Sequence, residues 1–230
     1  MKQTSKQTII KREFKTSSGI QVREQGNEGS EVNVVSGYAI MFNQPSAPLY
    51  QDEESEVREV IDPSAITPEL LNNSDIVLTM FHDRQLILGR SKNGAGTLSY
   101  TIDEKGVKFE CTMPRTNDGR KAVELISRGD IDGCSFIFTT HYYDKNFVER
   151  SVSADNGKSV IEYRVKKIEG IYDFTITNTP AYPTTSVEAR EFAKSLINDR
   201  TTVSPKDTES AQRRARQIAA MRSKAKEKIL

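Results

Sequence analysis

Three side chains have the type and setting to do bond-breaking chemistry: Ser135, His82 and Asp173. Ser135 lies in Gly133-Cys134-Ser135-Phe136-Ile137-Phe138, an apolar run entered directly from the turn Gly129-Asp130-Ile131-Asp132. Read as a strand, the run places Ser135 and Ile137 on one face and Cys134, Phe136 and Phe138 on the other. The second face reads as core, so Ser135 points away from it, available to a substrate or a base. Taken alone, the segment is more often the setting of a structural hydroxyl. His82 follows the alternating Ile76, Leu78 and Met80, and by parity it shares their face, partly buried. Imidazole, with a reference pKa of about 6.5, is a competent general base. The plain alternative is a histidine satisfied by a backbone carbonyl. Asp83 is adjacent in sequence but faces the other way, so it does not reach the ring.

Asp173 sits in Tyr172-Asp173-Phe174-Thr175-Ile176-Thr177 and shares a face with Thr175 and Thr177, opposite Phe174 and Ile176. An acid there can orient a histidine and stabilise its imidazolium form, or it can be a solvated strand-edge carboxylate. His141 lies six residues beyond Ser135, about 20 Å along a strand, against a hydrogen-bond reach of roughly 3 Å. Distance excludes it as a base for Ser135 and leaves it as a surface histidine.

Other chemistries have little to work with. Two cysteines, Cys111 and Cys134, give neither a disulfide framework nor a Cys-x-x-Cys pair, and two histidines cannot build a histidine-rich metal site. The phosphate-binding loop, the His-Glu-x-x-His zinc motif and the dinucleotide glycine fingerprint are absent, so no cofactor is expected. Gly-x-Ser-x-Gly is absent too, because Ile137 follows Phe136, which disfavours an α/β-hydrolase elbow. Cys134 with His82 as a cysteine nucleophile is the nearest rival, and parity opposes it by turning Cys134 toward Phe136 and Phe138.

These groups need a scaffold, and its pattern is mostly strand. Short runs rich in Val, Ile, Phe, Tyr and Thr fall at Val32–Phe42, Val57–Ile61, Asp75–Met80, Leu86–Arg90, Thr97–Ile102, Val107–Thr112, Gly133–Tyr142, Val160–Ile168 and Tyr172–Asn178. Asp103-Glu104-Lys105-Gly106 predicts a hairpin. One helix is predicted from an N-cap at Asn117 or Asp118, through Ala122, Val123, Leu125 and Ile126, to Gly129; a second runs from about Ser186 to Ile197. The expected class is α+β and β-dominated, a closed or partly closed β-barrel decorated with helices.

Charge divides the chain. Residues 1–16 carry five basic side chains against Glu13, and residues 205–230 carry eight against three acidic ones, so the +1 overall leaves a net −8 for the body between. The sequence therefore reads as a flexible basic arm over 1–30, a folded domain over 31–198, and a linker with a basic helical tail over 199–230. In the tail, Ile218, Met221 and Ala225 make a narrow apolar stripe. It fits either a solvated helix or an anchor that docks on an acidic partner or nucleic acid. No apolar run approaches the roughly 18 residues that span a bilayer, and secretion is not expected.

The order of segments resembles the tailed-phage prohead protease family. Gly37-Tyr38-Ala39-Ile40-Met41-Phe42 comes first, then Glu59-Val60-Ile61-Asp62-Pro63-Ser64-Ala65-Ile66, then Phe81-His82-Asp83 with Leu88-Gly89-Arg90. Arg128-Gly129-Asp130-Ile131-Asp132-Gly133-Cys134-Ser135-Phe136 follows, and Tyr172-Asp173-Phe174-Thr175-Ile176-Thr177-Asn178-Thr179-Pro180-Ala181-Tyr182 closes the series. No piece is specific alone; five in order are. The resemblance implies a serine endopeptidase with a fold similar to herpesvirus assemblin, a β-barrel ringed by helices. It carries the family's serine onto Ser135 and its histidine onto His82. The family's acid, usually Glu, falls on Asp173, one methylene shorter, and Ile137 stands where glycine is more common. The implied substrates are phage capsid and scaffold proteins, and the chain itself, cut inside the assembling head in the host cytoplasm. The resemblance admits a homodimer, with no membrane and no nucleic acid as expected partner. The rival from another class is a non-enzymatic capsid or scaffold assembly module.

Overall fold

The computed structural model describes residues 8–14, 20–26, 32–155 and 157–178. In chain order its strands are β1 (Thr8–Phe14), β2 (Gln21–Gln25), β3 (Val32–Met41), β4 (Tyr50–Gln51), β5 (Ser55–Ile61), β6 (Asp75–Met80), β7 (Asp83–Lys92), β8 (Ala95–Gly96), β9 (Leu98–Ile102), β10 (Gly106–Thr112), β11 (Gly133–Thr140), β12 (Val148–Asp155), β13 (Lys158–Val165) and β14 (Gly170–Thr177). Two short helices join them, α1 (Pro68–Asn73) and α2 (Asn117–Ser127).

The strands form three sheets. One is six-stranded, in the order β1-β11-β14-β6-β7-β8; the others are four-stranded, β2-β3-β10-β9 and β12-β13-β5-β4. Most neighbours are antiparallel, but β14 runs parallel to β6 and β13 parallel to β5. The β-dominated class holds. The closed barrel does not: among the described residues the sheets are open, each ending on an edge strand. One hydrophobic cluster holds all three together, from Val35, Ile40 and Phe109 through Val57 and Ile161 to Phe136, Phe138 and Phe174. No helix among the described residues is long and apolar enough to cross a membrane.

Part of the expected N-terminal arm is strand. Thr8–Phe14 pairs with Cys134–Thr140 of β11, and Gln21–Gln25 pairs with β3, so backbone hydrogen bonds order segments whose composition reads as a solvated tail. β12, Val-Glu-Arg-Ser-Val-Ser-Ala-Asp, escaped the sequence reading for a related reason. It is an edge strand with Val148 buried and most of its other side chains exposed or half-exposed. The Asp103–Gly106 hairpin forms as expected, its carboxylate accepting from Lys105 N and Gly106 N. The α2 N-cap is Thr116, one residue before the expected pair, its hydroxyl accepting from Gly119 N at 3.2 Å. The expected 186–197 helix and the basic tail lie outside the described residues.

The six-stranded sheet positions the candidate site. One face, with Ile76, Leu78, Met80, Cys134, Phe136, Phe138, Phe174 and Ile176, is buried core. The other carries hydroxyls and a carboxylate in register: Ser135 on β11 opposite Thr175 on β14, and Thr175 opposite Thr79 on β6. Tyr172 is an extra residue in β14 opposite the Ile137–Phe138 step. That bulge lets Ile171 enter the core while Asp173, two residues on, faces the hydroxyl side.

Candidate active site

Ser135 is delivered by a helix stop. α2 ends at Ser127, Gly129 takes φ +80, and Asp130 N and Ile131 N return to Leu125 O. Ile131 then docks in the core, and β11 starts two residues later. Parity from this start turns Cys134 and Phe136 inward and Ser135 to the hydroxyl face. Ser135 nevertheless has no exposed surface, because the far side of the serine is covered as well.

His82 does not share the face of Leu78 and Met80. β6 ends at Met80, which pairs directly with Asp83, so Phe81 and His82 form a two-residue turn. Both have positive φ, +56 and +58. Two-residue hairpin turns demand such values and usually recruit Asn-Gly; for ordinary side chains each costs on the order of 1–3 kcal/mol. The turn breaks strand parity, and the imidazole reaches the hydroxyl face of the sheet. Two bonds to β14 hold it there, Phe81 N to Ile176 O at 3.1 Å and His82 N to Thr175 Oγ1 at 2.9 Å. Asp83 turns away and caps Gln85 N.

The three candidate groups meet. His82 Nε2 lies 2.6 Å from Ser135 Oγ, across 53 residues of sequence. On the other side of the ring, Nδ1 lies 3.5 Å from Asp173 Oδ2, within ion-pair reach but longer than a well-formed hydrogen bond of about 2.9 Å. Nδ1 is buried and has no hydrogen-bond partner among the described residues, and the Asp173 carboxylate is the charged group that faces it. The side chains are 6% exposed for His82 and 1% for Asp173. Asp173 takes a second contact from Thr79 Oγ1, at 3.1 and 3.2 Å to its two oxygens. A hydroxyl, an imidazole and a carboxylate in this sequence can remove the hydroxyl proton during attack and stabilise the resulting imidazolium.

The remaining candidates are engaged elsewhere. His141 is only 16% exposed in its side chain, not a surface residue. Its Nε2 is 2.9 Å from Glu169 Oε1, and its ring stands edge-on to Phe147. Both cysteines are free and buried, and burial pushes the Cys111 thiol up to about 12 and Cys134 higher still. Two arginines that could serve an anion are paired elsewhere: Arg90 forks onto Asp75, and Arg150 donates to the Tyr163 hydroxyl. Thr79 is the site residue that the sequence reading passed over. Its signal is there: a lone hydroxyl in Ile76-Val77-Leu78-Thr79-Met80, out of phase with the core positions.

Residues 18–199 match the caudovirus prohead serine protease family. No curated protein matches the chain. Among solved structures, the bacteriophage T4 capsid assembly protease gp21 is similar at 8% identity and TM-score 0.40, over 76% of this chain and 99% of that one. The family match covers most of the sequence and every residue of the site just described, and the chain belongs to the caudovirus prohead serine proteases.

Proposed function

We propose that in this prohead maturation protease Ser135 is the nucleophile, His82 its general base and Asp173 the acid that orients the imidazole. One observation carries the reading: a single buried ring has Nε2 at 2.6 Å from a serine hydroxyl and Nδ1 turned toward a carboxylate. As Ser135 Oγ attacks the scissile carbonyl, its proton passes to His82 Nε2. Asp173 faces the Nδ1–H and stabilises the imidazolium, which then protonates the leaving amine. Water repeats the sequence to release the acyl group. The 3.5 Å Nδ1 contact is the kind of resting-state distance that tightens when the ring becomes charged. Ser135 sits in an interior strand, between β1 and β14, where main-chain N–H groups point to neighbouring strands. The donors for the developing oxyanion therefore come from outside that ladder.

The substrates in this reading are the scaffold and capsid proteins of the assembling head, and the chain's own termini. The serine protease family sets aside a purely structural assembly module. The basic stretch from about Thr201 onward serves as a removable segment that docks the enzyme in the head, given its charge contrast with the acidic body. Co-expression with the phage's capsid and scaffold proteins, read by intact mass, tests the assignment. Wild type yields shortened products, whereas Ser135→Ala and His82→Ala leave them full length, with rates down by about 10⁴-fold or more. Normal processing by either variant would reject it.

A further inference from the structure

A second path joins His82 to Asp173. The first is direct, through the ring. The other starts at the His82 backbone, whose N–H donates to Thr175 Oγ1 at 2.9 Å. Thr175 Oγ1 lies 2.9 Å from Thr79 Oγ1, and Thr79 Oγ1 lies 3.1 and 3.2 Å from the two oxygens of Asp173. Thr175 Oγ1 is also 3.0 Å from the Thr79 carbonyl oxygen. Thr79, Thr175 and Asp173 are all without exposed surface, so no solvent substitutes for these bonds.

Proton counting orients the path. The Asp173 carboxylate only accepts, so the Thr79 proton points to it. The His82 N–H occupies one acceptor site on Thr175, whose own proton then goes to Thr79, at its hydroxyl or its carbonyl. With that proton on the Thr79 hydroxyl, the path runs in one direction from the histidine backbone to the acid; with it on the Thr79 carbonyl, Thr175 is held by the Thr79 main chain while the Thr79 hydroxyl still holds the carboxylate. The cross-strand register makes this possible, because Thr175 and Thr79 are direct partners on parallel strands.

We infer that Thr79 and Thr175 are positioning residues for the catalytic histidine and its acid. Thr175 pins the left-handed His82 turn, and Thr79 fixes the carboxylate that faces Nδ1. Together they set the angle at which the ring meets Ser135. The inference rests on the reading of Ser135, His82 and Asp173 given above. A merely structural pair of buried threonines would lower stability when changed, but would leave each folded molecule fully reactive.

The test uses the full-length chain and a fluorophosphonate probe that acylates an activated serine. Thr79→Val and Thr175→Val keep shape and lose the hydroxyl, while Thr79→Ser and Thr175→Ser keep the hydroxyl. Expected is a fall of roughly 10- to 100-fold in the maximal acylation rate of the valine variants, at unchanged probe affinity, with serine restoring most of it. In an Asp173→Asn background, Thr79→Val should add little, since it acts through that carboxylate. Valine variants that match wild type per folded molecule, while Ser135→Ala is unlabelled, overturn this inference alone. Labelling that survives in Ser135→Ala overturns the underlying site reading instead. Hydrogen exchange at the His82 amide needs no variant: protection of at least ~10²-fold relative to an open turn is expected of a bond to a buried hydroxyl. Exchange at the rate of an open turn would contradict the Thr175 contact.

Discussion

Ser135 and Cys134 are adjacent in sequence but differ in everything that makes a nucleophile. Cys134 lies in the core beside Phe136 and Phe138, where burial raises its thiol pKa and suppresses the reactive thiolate. Ser135 lies 2.6 Å from an imidazole. At neutral pH, iodoacetamide should therefore leave activity and intact mass unchanged in the folded protein; rapid inactivation with a single carbamidomethyl adduct on Cys134 would return the thiol to consideration. Strand parity made the faces of Ser135 and Cys134 legible in the sequence, and likewise that of Asp173. It failed for His82, because parity lapses where a strand ends, and nothing in Met80-Phe81-His82-Asp83 marks a turn. The usual Asn-Gly signal is missing, and two ordinary side chains stand at positive φ instead. His141 was read as a surface residue for want of any sign that Glu169 and Phe147 would meet it. Changing the acid should hurt less than changing the nucleophile. Asp173→Asn is expected to retain activity roughly two orders of magnitude above Ser135→Ala, and Asp173→Glu to recover part of the remainder. Wild-type processing by Asp173→Ala would place the third role elsewhere.

Strands β6 and β7 carry the histidine turn, and their fit against the next sheet explains a small residue in the Leu88-Gly89-Arg90 segment. A Cβ on Gly89 would stand 2.3 Å from Cys111 Sγ and 3.2 Å from Thr97 Oγ1, so β7 approaches β9 and β10 without room for a methyl group. Leu88 is skipped in the pairing, since Leu78 faces Gly89 and Thr79 faces Ile87. A second shift follows before the Phe81-His82 turn, where Met80 faces Asp83. Gly89→Ala should destabilise the fold by about 1–3 kcal/mol through overpacking. In a domain of this size each kcal/mol is about 2–4 °C of melting temperature. Because the clash is with sulfur, Cys111→Ala should recover part of the loss; equal melting of Gly89→Ala and wild type would show that the sheets can separate freely. The alternating apolar residues of β3, β6, β10 and β14 were readable. β1 and β12 were not, because an edge strand with charged or exposed side chains draws its order from backbone pairing rather than from pattern.

At the scale of the whole molecule, the described residues form three open sheets that share one core, with the proposed site on the hydroxyl face of the six-stranded sheet. The sequence pointed to many short strands correctly, but closure of a barrel depends on which edges meet, and short strand runs carry no information about that. The charge contrast between an acidic body and a strongly basic C-terminal stretch was legible without any structure. Docking by many weak exposed charges should fade with added salt. Truncation after Asp199 should leave Ser135 acylation unchanged and abolish incorporation into proheads; normal incorporation of the shortened chain would reject a targeting role. Ser135 has no exposed surface, so labelling and substrate binding both require local opening at the His82 turn or of whatever lies over it. The central claim is that this buried hydroxyl, activated by His82, is the group that attacks. Mapping the covalent adduct of a fluorophosphonate on the full-length protein by peptide mass spectrometry tests it most directly. A single adduct on Ser135, lost in His82→Ala, is the predicted result; an adduct at any other residue, or undiminished labelling without His82, would contradict it.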